Sequence, residues 1–275
     1  RLIEDLPDLN PDPMGLPDGV FLRPSLIAVL DGAKGEVILV APVWHDKNRN
    51  AKTSYENASK LINDAIKKLD GEILETRGLG RPSNINPPIS NFSKDDYIQA
   101  VKKAQEYIAA GDIFQVVPSQ RWEQDFNLPP FSLYRSLRRT NPSPFMFFFN
   151  FGDFQVIGAS PEILVRVFDN EITIRPIAGT RPRGKTPEQD KALEVDLLKD
   201  KKELAEHLML LDLGRNDVGR VSKIGSVKPT EEFIIERYSH VMHIVSNVIG
   251  KQKNKLSLFE TFLSGFPAGT VSGAP

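Results

Sequence analysis

The chain has 275 residues, 40% of them hydrophobic, and a formal net charge of −1 from 35 Lys and Arg against 36 Asp and Glu. That composition supports a real core in one large domain or two small ones, and the balanced charge gives no footing for nucleic-acid binding, which shows a basic excess. No cysteine is present, which excludes disulfides and thiolate metal centres, and no apolar run approaches the ~20 residues of a membrane helix, so a cytoplasmic enzyme or binding protein is expected.

Residues 1–20, rich in Pro, Asp and Leu, read as an irregular lead-in. Apolar, β-branched runs at 25–30 and 36–43 flank Asp31-Gly32-Ala33-Lys34-Gly35 and predict a hairpin. Ala58, Leu61, Ile62, Ala65, Ile66 and Leu69 recur at helical spacing over 54–69, with Gly71 as the stop. The stretch 71–92 reads as a linker or a surface excursion. Ser93 then caps a second helix that ends at Gly111, with Ile98, Val101, Ala104, Gln105 and Ile108 as its expected buried stripe. A strand over 113–121 and a short helix over 131–139 lead into the turn Asn141-Pro142-Ser143-Pro144. From 145 to 174 three or more strands are expected, with turns at Gly152-Asp153 and Asp169-Asn170. Thr186-Pro187-Glu188-Gln189 combines a capping box with Pro at the first helical position. It opens a helical tract to about Leu213, broken near Lys199 and closed by Gly214. Strands over 220–227 and 240–249 and a helix over 257–263 complete the chain. Tightly turned strand pairs with interspersed helices predict an α+β fold with mainly antiparallel sheet, in a single domain over 1–275.

Leu204, Leu208 and Leu211 are expected to face the core, which puts Glu203 and Glu206 side by side on another face of the helix. Two carboxylates this close repel unless a cation lies between them or one is protonated. They read either as an exposed face paired to Lys199 or Lys202, which the sequence alone favours, or as ligands of a hard cation such as Mg²⁺. His207 has no second histidine at metal spacing and reads as structural. The segment Pro176–Gly184 is stiffened by Pro176 and Pro182 and opened by Gly179 and Gly184. With Arg175, Arg181, Arg183 and Thr180 around it, it reads as an anion-holding turn or as a hairpin corner with solvated arginines. Arg215 and Asp217 are expected to form a buried pair. The segment 240–245 is apolar on both faces and so predicts a central strand. His243 there is either a hydrogen-bonded core histidine or a proton acceptor. Glu162 is a general acid or part of a capped turn. Thr270, in the small-residue loop 266–275, offers contacts to an anion, but the Gly-Lys-Ser/Thr ending of a phosphate-binding P-loop is absent.

In this order, Asn141-Pro142-Ser143-Pro144-Phe145-Met146, Gly158 to Glu162, Pro176 to Gly184, Glu203 to Asp217, Tyr238 to His243 and Gly269 to Pro275 resemble the chorismate-binding enzyme family. Within it they are most similar to the large components of anthranilate synthases. The resemblance implies two large, mainly antiparallel sheets packed face to face with helices on the outside. It implies Mg²⁺-dependent conversion of chorismate and ammonia to anthranilate and pyruvate, the first step of tryptophan biosynthesis. A glutamine amidotransferase subunit or domain would supply the ammonia, and tryptophan would act as feedback inhibitor. By the same resemblance Glu206 is a Mg²⁺ ligand supported by Glu203. Glu162 assists departure of the ring hydroxyl, and His243 takes the C2 proton or orients the ring. Thr180, Gly179 and Thr270 shape the substrate pocket, with Thr180 at the catalytic centre. Pro144, Phe145 and Met146 match part of the tryptophan site, with Phe145 where the family has Tyr. Ala178 stands where aminodeoxychorismate synthases carry a nucleophilic Lys, which favours attack by external ammonia. Aminodeoxychorismate synthase, or a non-catalytic fragment that binds tryptophan or the amidotransferase, is the alternative. The chain opens at Arg1 and stops at Pro275 inside a Gly-rich loop, so both ends are expected to be cut and the isolated 275 residues to be inactive.

Overall fold

The computed structural model describes residues 11–72 and 86–274. The chain divides into two compact units, Arg1–Arg77 and Gly78–Pro275. Most of the expected linker at 71–92 lies outside the described residues.

In the first unit, β1 (Ile27–Asp31) and β2 (Glu36–Val40) form the expected antiparallel hairpin. Asp31 Oδ1 closes its turn by accepting the N–H groups of Ala33 and Lys34 at 3.0 and 3.1 Å. Helix α1 (Ala51–Leu69) starts earlier than the apolar periodicity shows, because the Asn50 side chain caps it by accepting the Thr53 N–H.

The second unit opens with β3 (Ile89–Ser90), α2 (Lys94–Ala110), β4 (Gln115–Val116), β5 (Trp122–Glu123) and α3 (Pro130–Thr140). Ser93 and a left-handed Gly111 (φ 82) bound α2 as the sequence predicts. Its apolar stripe is not buried, however: Ile98 and Ile108 remain 39% and 45% exposed. The strand expected over 113–121 shrinks to β4. Among the described residues only Gly273 and Ala274 pair with it, and Pro118 has no N–H to extend the ladder.

The chain continues through β6 (Phe145–Asn150), β7 (Gln155–Ser160), β8 (Arg166–Phe168), β9 (Glu171–Ile174) and β10 (Ile177–Pro182). Then come α4 (Pro187–Leu197), α5 (Lys201–Val221), β11 (Lys228–Arg237), β12 (Val241–Lys251), α6 (Leu258–Ser264) and β13 (Gly273–Ala274). Every strand pairing among the described residues is antiparallel, and with the interspersed helices this is an α+β fold. Five strands form the main sheet, with β12 at its centre, as expected. One edge of β12 carries β10 and β9 in succession, and the other carries β11.

Three expectations fail for physical reasons. Helix α5 runs past Gly214 to Val221. A Cβ at Gly214 would lie 3.2 Å from Pro176 Cγ, so this glycine serves close helix-to-sheet approach instead of a cap. The strand expected over 220–227 is therefore absent, and the real strand, β11, follows it. Its period-2 pattern is masked by a bulge: register shifts between Glu231 and Ile234, and Phe233 sits at φ 53. Leu208 does not face the core but is 56% exposed.

The core has two parts. Ile172, Ile174, Leu211, Val218, Val221 and Val248 fasten α5 to β9 and β12. Leu197, Met242 and Ile244 fasten the end of α4 to β12. His207 is fully buried between α5 and β12, with Nε2 2.7 Å from Ser246 Oγ. Burial pushes its pKa down to about 4, so it is a neutral core residue.

Candidate functional site

One face of α5 forms the floor of a cavity of about 600 Å³. Glu203, Glu206, Leu210, Leu213, Gly214 and Asp217 line it, at the three- and four-residue intervals of a single helix face. At ~1.5 Å per residue, that stripe is about 21 Å long. Strand β10, the segment around Ser160 to Leu164, and the loop from Gly265 to Val271 supply the other walls. Of the residues singled out from the sequence, Glu162, Gly179, Thr180, Glu203, Glu206 and Thr270 are thus brought to one cavity, together with Ala178. His243 is not on its lining but is the cross-strand partner of Thr180. Phe145 pairs with Ser160 at the start of β6, and Pro144, Phe145 and Met146 are not among the cavity-lining residues.

The three arginines around β10 do not line the cavity but meet carboxylates of the chain itself. Arg175 pairs with Glu236 and, at 3.5 Å, with Glu231. Arg181 bridges Asp196 at 2.7 Å and Asp200 at 2.9 Å. Arg183 holds Asp190 at 2.8 Å and donates to the Tyr238 carbonyl at 2.7 Å. Asp190 also accepts the Gly184 N–H and Arg237 Nε, and these donors, Arg183 first, hold its carboxyl far below the usual range. The arginines therefore tie β10 to α4, α5 and β11, a role set by partners that are distant in the chain.

Gly179 is the pivot of the site. The register of β10 on β12 shifts between Ala178 and Thr180, with Gly179 at φ 68. This bulge brings the Gly179 carbonyl to 3.0 Å from His243 Nδ1, with Thr180 Oγ1 at 3.1 Å. A carbonyl oxygen only accepts, so Nδ1 carries a proton, which in the neutral ring leaves the lone pair on Nε2. A Cβ at Gly179 would lie 3.1 Å from Ile244 Cδ1, 3.2 Å from Leu197 Cδ1 and 3.3 Å from Glu203 Oε2. The same backbone turn thus lies beside both a cavity carboxylate and the imidazole.

Four carboxyl groups line the cavity (Glu162, Glu203, Glu206 and Asp217), and no Lys, Arg or His is among its described lining residues. Burial raises the Glu162 pKa, opposed by a hydrogen bond from the Ile177 backbone, which suits it to giving a proton. Neither Glu203 nor Glu206 pairs with Lys199 or Lys202 or has a side-chain hydrogen-bond partner among the described residues. Among those residues no three His, Cys, Asp or Glu side chains converge on a metal position. Two unpartnered carboxylates in a cavity with no positive side chain match the donor set of Mg²⁺, which takes one or two carboxylates and completes its shell with water and ligand oxygens.

Asp217 also lines the cavity, a position the sequence hides because Gly214 reads as the end of the helix. The signal was the continuing stripe, with Asp217 on the same face as Glu206. It forms no pair with Arg215, which instead meets Asp212 on the surface at 3.4 Å. Only 8% exposed, the Asp217 carboxyl is pushed up to about 6 by burial, with Arg220 opposing. Its folded pKa lies above the ordinary value of 3.8, so its neutral form is favoured in the folded state. Its contribution to stability is then full at low pH and is lost as pH rises through the folded value. Asp217→Asn is therefore expected to gain stability relative to the parent as pH rises from about 4 to 7, read from urea midpoints. A gap that stays constant over that range would contradict the assignment.

No helix among the described residues is long and apolar enough to cross a membrane. A relative from Cereibacter sphaeroides, named anthranilate synthase component 1, is 65% identical over 275 residues, covering 100% of this chain and 55% of the relative. A Pseudomonas putida protein of the same name is 50% identical over 272 residues, covering 97% of this chain and 54% of its own length. The chain thus spans about half the length of the curated relatives it matches. The crystal structure of anthranilate synthase component I from Streptococcus pneumoniae TIGR4 superposes with a TM-score of 0.76 at 38% identity, covering 90% of this chain and 54% of that one. The menaquinone-specific isochorismate synthase from Escherichia coli shares the fold, with a TM-score of 0.68 at 19% identity over 87% of this chain and 53% of its own. The family model described as chorismate binding enzyme matches residues 1–275, and with these relatives it shows that the chain belongs to that family.

Proposed function

We propose that the full-length protein containing this chain is the large component of an anthranilate synthase. It would convert chorismate and ammonia to anthranilate and pyruvate in the cytoplasm, with Mg²⁺ as cofactor. A glutamine amidotransferase would deliver the ammonia, and tryptophan would inhibit through the region of Pro144, Phe145 and Met146. The observation that carries this reading is the acidic cavity itself, in which Glu203 and Glu206 face Gly179 and Thr180 with Ala178 in the wall. Four carboxyl groups without a positive side chain among the described lining residues call for a cation to receive an anionic substrate.

Glu206, assisted by Glu203, would hold the Mg²⁺. When bound, the ion supplies the positive charge that receives a substrate carboxylate and polarises it. Glu162, its protonated form favoured by burial, gives a proton to the departing ring hydroxyl, which leaves as water while ammonia bonds to C2. Ala178 offers no amine, so the nitrogen comes from outside the protein, which disfavours the aminodeoxychorismate route through a covalent lysine adduct. His243, protonated at Nδ1 by its bond to Gly179, accepts the C2 proton at Nε2 as the C–O bond to the pyruvyl group breaks and the ring becomes aromatic. Thr180 steadies the imidazole through its hydroxyl, and Gly179 and Thr270 shape the walls around the substrate.

The test is the full-length enzyme carrying His243→Met. Amination needs no base at C2, but pyruvate loss does. Anthranilate formation is expected to fall by about 10²-fold or more while an aminated, pyruvyl-bearing intermediate accumulates, detected by chromatography and mass. If amination and pyruvate loss decline together, His243 is not the proton acceptor.

A further inference from the structure

Tyr238 sits at the turn from β11 to β12 and is held at three points. Its N–H donates to the Val241 carbonyl at 2.8 Å. Its own carbonyl accepts from Arg183 Nη1 at 2.7 Å. Its hydroxyl donates to Glu236 Oε2 at 2.8 Å, while Arg175 holds the other carboxylate oxygen of Glu236. Burial, with Glu236 second, pushes the phenol up to about 12, so it stays a neutral donor. The ring fixed in this way packs edge-to-face on His243, with centroids 5.5 Å apart and planes at 61°.

The sheet register explains the grouping. His243 faces Thr180 on one neighbouring strand and Glu236 on the other. Directly opposed residues in antiparallel strands share a face with Cβ atoms ~4.5–5.5 Å apart. The imidazole is therefore flanked by Thr180 and the Gly179 carbonyl at Nδ1, by Glu236 across the strand, and by the Tyr238 ring. A hydrogen bond at Nδ1 alone is a weak lock, because the terminal torsion of histidine is broad and roughly two-fold. A half-turn of the ring would put a carbon where the Gly179 carbonyl needs a donor.

We propose that Tyr238, anchored through its hydroxyl to the Glu236–Arg175 pair, is a positioning residue that locks the His243 ring with Nδ1–H on the Gly179 carbonyl and Nε2 left as the basic nitrogen. The ring lock is a property of the fold. Its catalytic consequence rests on the proposed role of His243.

The test uses Tyr238→Leu and Tyr238→Phe in the full-length enzyme. The two readouts are the ring ¹⁵N shifts of His243, identified by their loss in His243→Met, and the steady-state constants for chorismate. In the parent a single Nδ1–H tautomer is expected. Tyr238→Leu removes the ring contact and should give a mixture of tautomers. Its kcat should fall by about 100-fold, the scale of a small misplacement of a catalytic group, with KM moving less than about twofold. Tyr238→Phe keeps the ring but frees it from Glu236, and should give partial mixing with a loss of about 10-fold. The proposal is overturned if both variants retain the parent tautomer signature, or if only KM changes. Should the leucine variant fail to fold, the near-isosteric phenylalanine variant decides between these outcomes. If His243→Met leaves anthranilate formation intact, the functional reading falls, and the ¹⁵N signatures still judge the lock.

Discussion

Glu206→Gln in the full-length enzyme is expected to lower Mg²⁺-dependent anthranilate formation by about 10²–10³-fold, the scale of losing one preorganised electrostatic partner. The substitution keeps volume and shape and removes only charge. Glu206 lines the cavity between Glu203 and Leu210 on the lined face of α5, and has no competing partner among the described residues. Its carboxylate therefore supports nothing in the fold, so the loss should appear in metal dependence and not in stability. Glu203→Gln should cost less, because Glu203 is the supporting carboxylate and Glu206 would remain. The measurement is a Mg²⁺ titration read by anthranilate fluorescence, with thermal unfolding as a control. An unchanged Mg²⁺ requirement in Glu206→Gln would remove Glu206 from the metal site and leave the acidic cavity without an explanation.

Leu197→Ala should cost about 2–5 kcal/mol of folding stability, the range for a buried leucine truncated to alanine. Leu197 is fully buried at the end of α4 and packs with Met242 and Ile244. The upper part of the range is expected, because this side chain also backs the Gly179 bulge, with Cδ1 3.2 Å from where a Cβ would stand there. Arg181 and Arg183 hold β10 to Asp196, Asp200 and Asp190, which limits how far that strand can shift to fill the void. Urea unfolding should show a lower midpoint at an unchanged slope. A cost below about 1 kcal/mol would mean that the site collapses freely and that the bulge does not depend on this packing.

What could be read along the chain was local. Ser93, Thr186 and Ser257 cap their helices by accepting N–H groups three residues ahead, and the hairpin at Asp31 closes within the same distance. Such bonds depend only on neighbouring residues, so residue type and spacing announce them. Strand β11 was not legible because its bulge at Phe233 destroys the alternation that marks a strand. The end of α5 was misread because Gly214 has the composition of a cap and the job of a contact. The apolar stripe of α2 has helical spacing, but spacing does not say that anything covers it.

The candidate site divides along the same line. Sequence by itself determined the pairing of Glu203 with Glu206 on one helix face, the ordered motifs of the chorismate-binding family, and the missing amine at Ala178. Only the tertiary structure decided that the arginines of the β10 segment are neutralised by carboxylates on α4, at the start of α5 and on β11, that Asp217 joins the cavity wall, and that the Gly179 carbonyl meets His243 Nδ1. The reason is physical. A helix face is dictated by 3.6 residues per turn, whereas charge pairing, burial and proton placement depend on groups that the chain brings together from far apart, and no local pattern records which partner arrives.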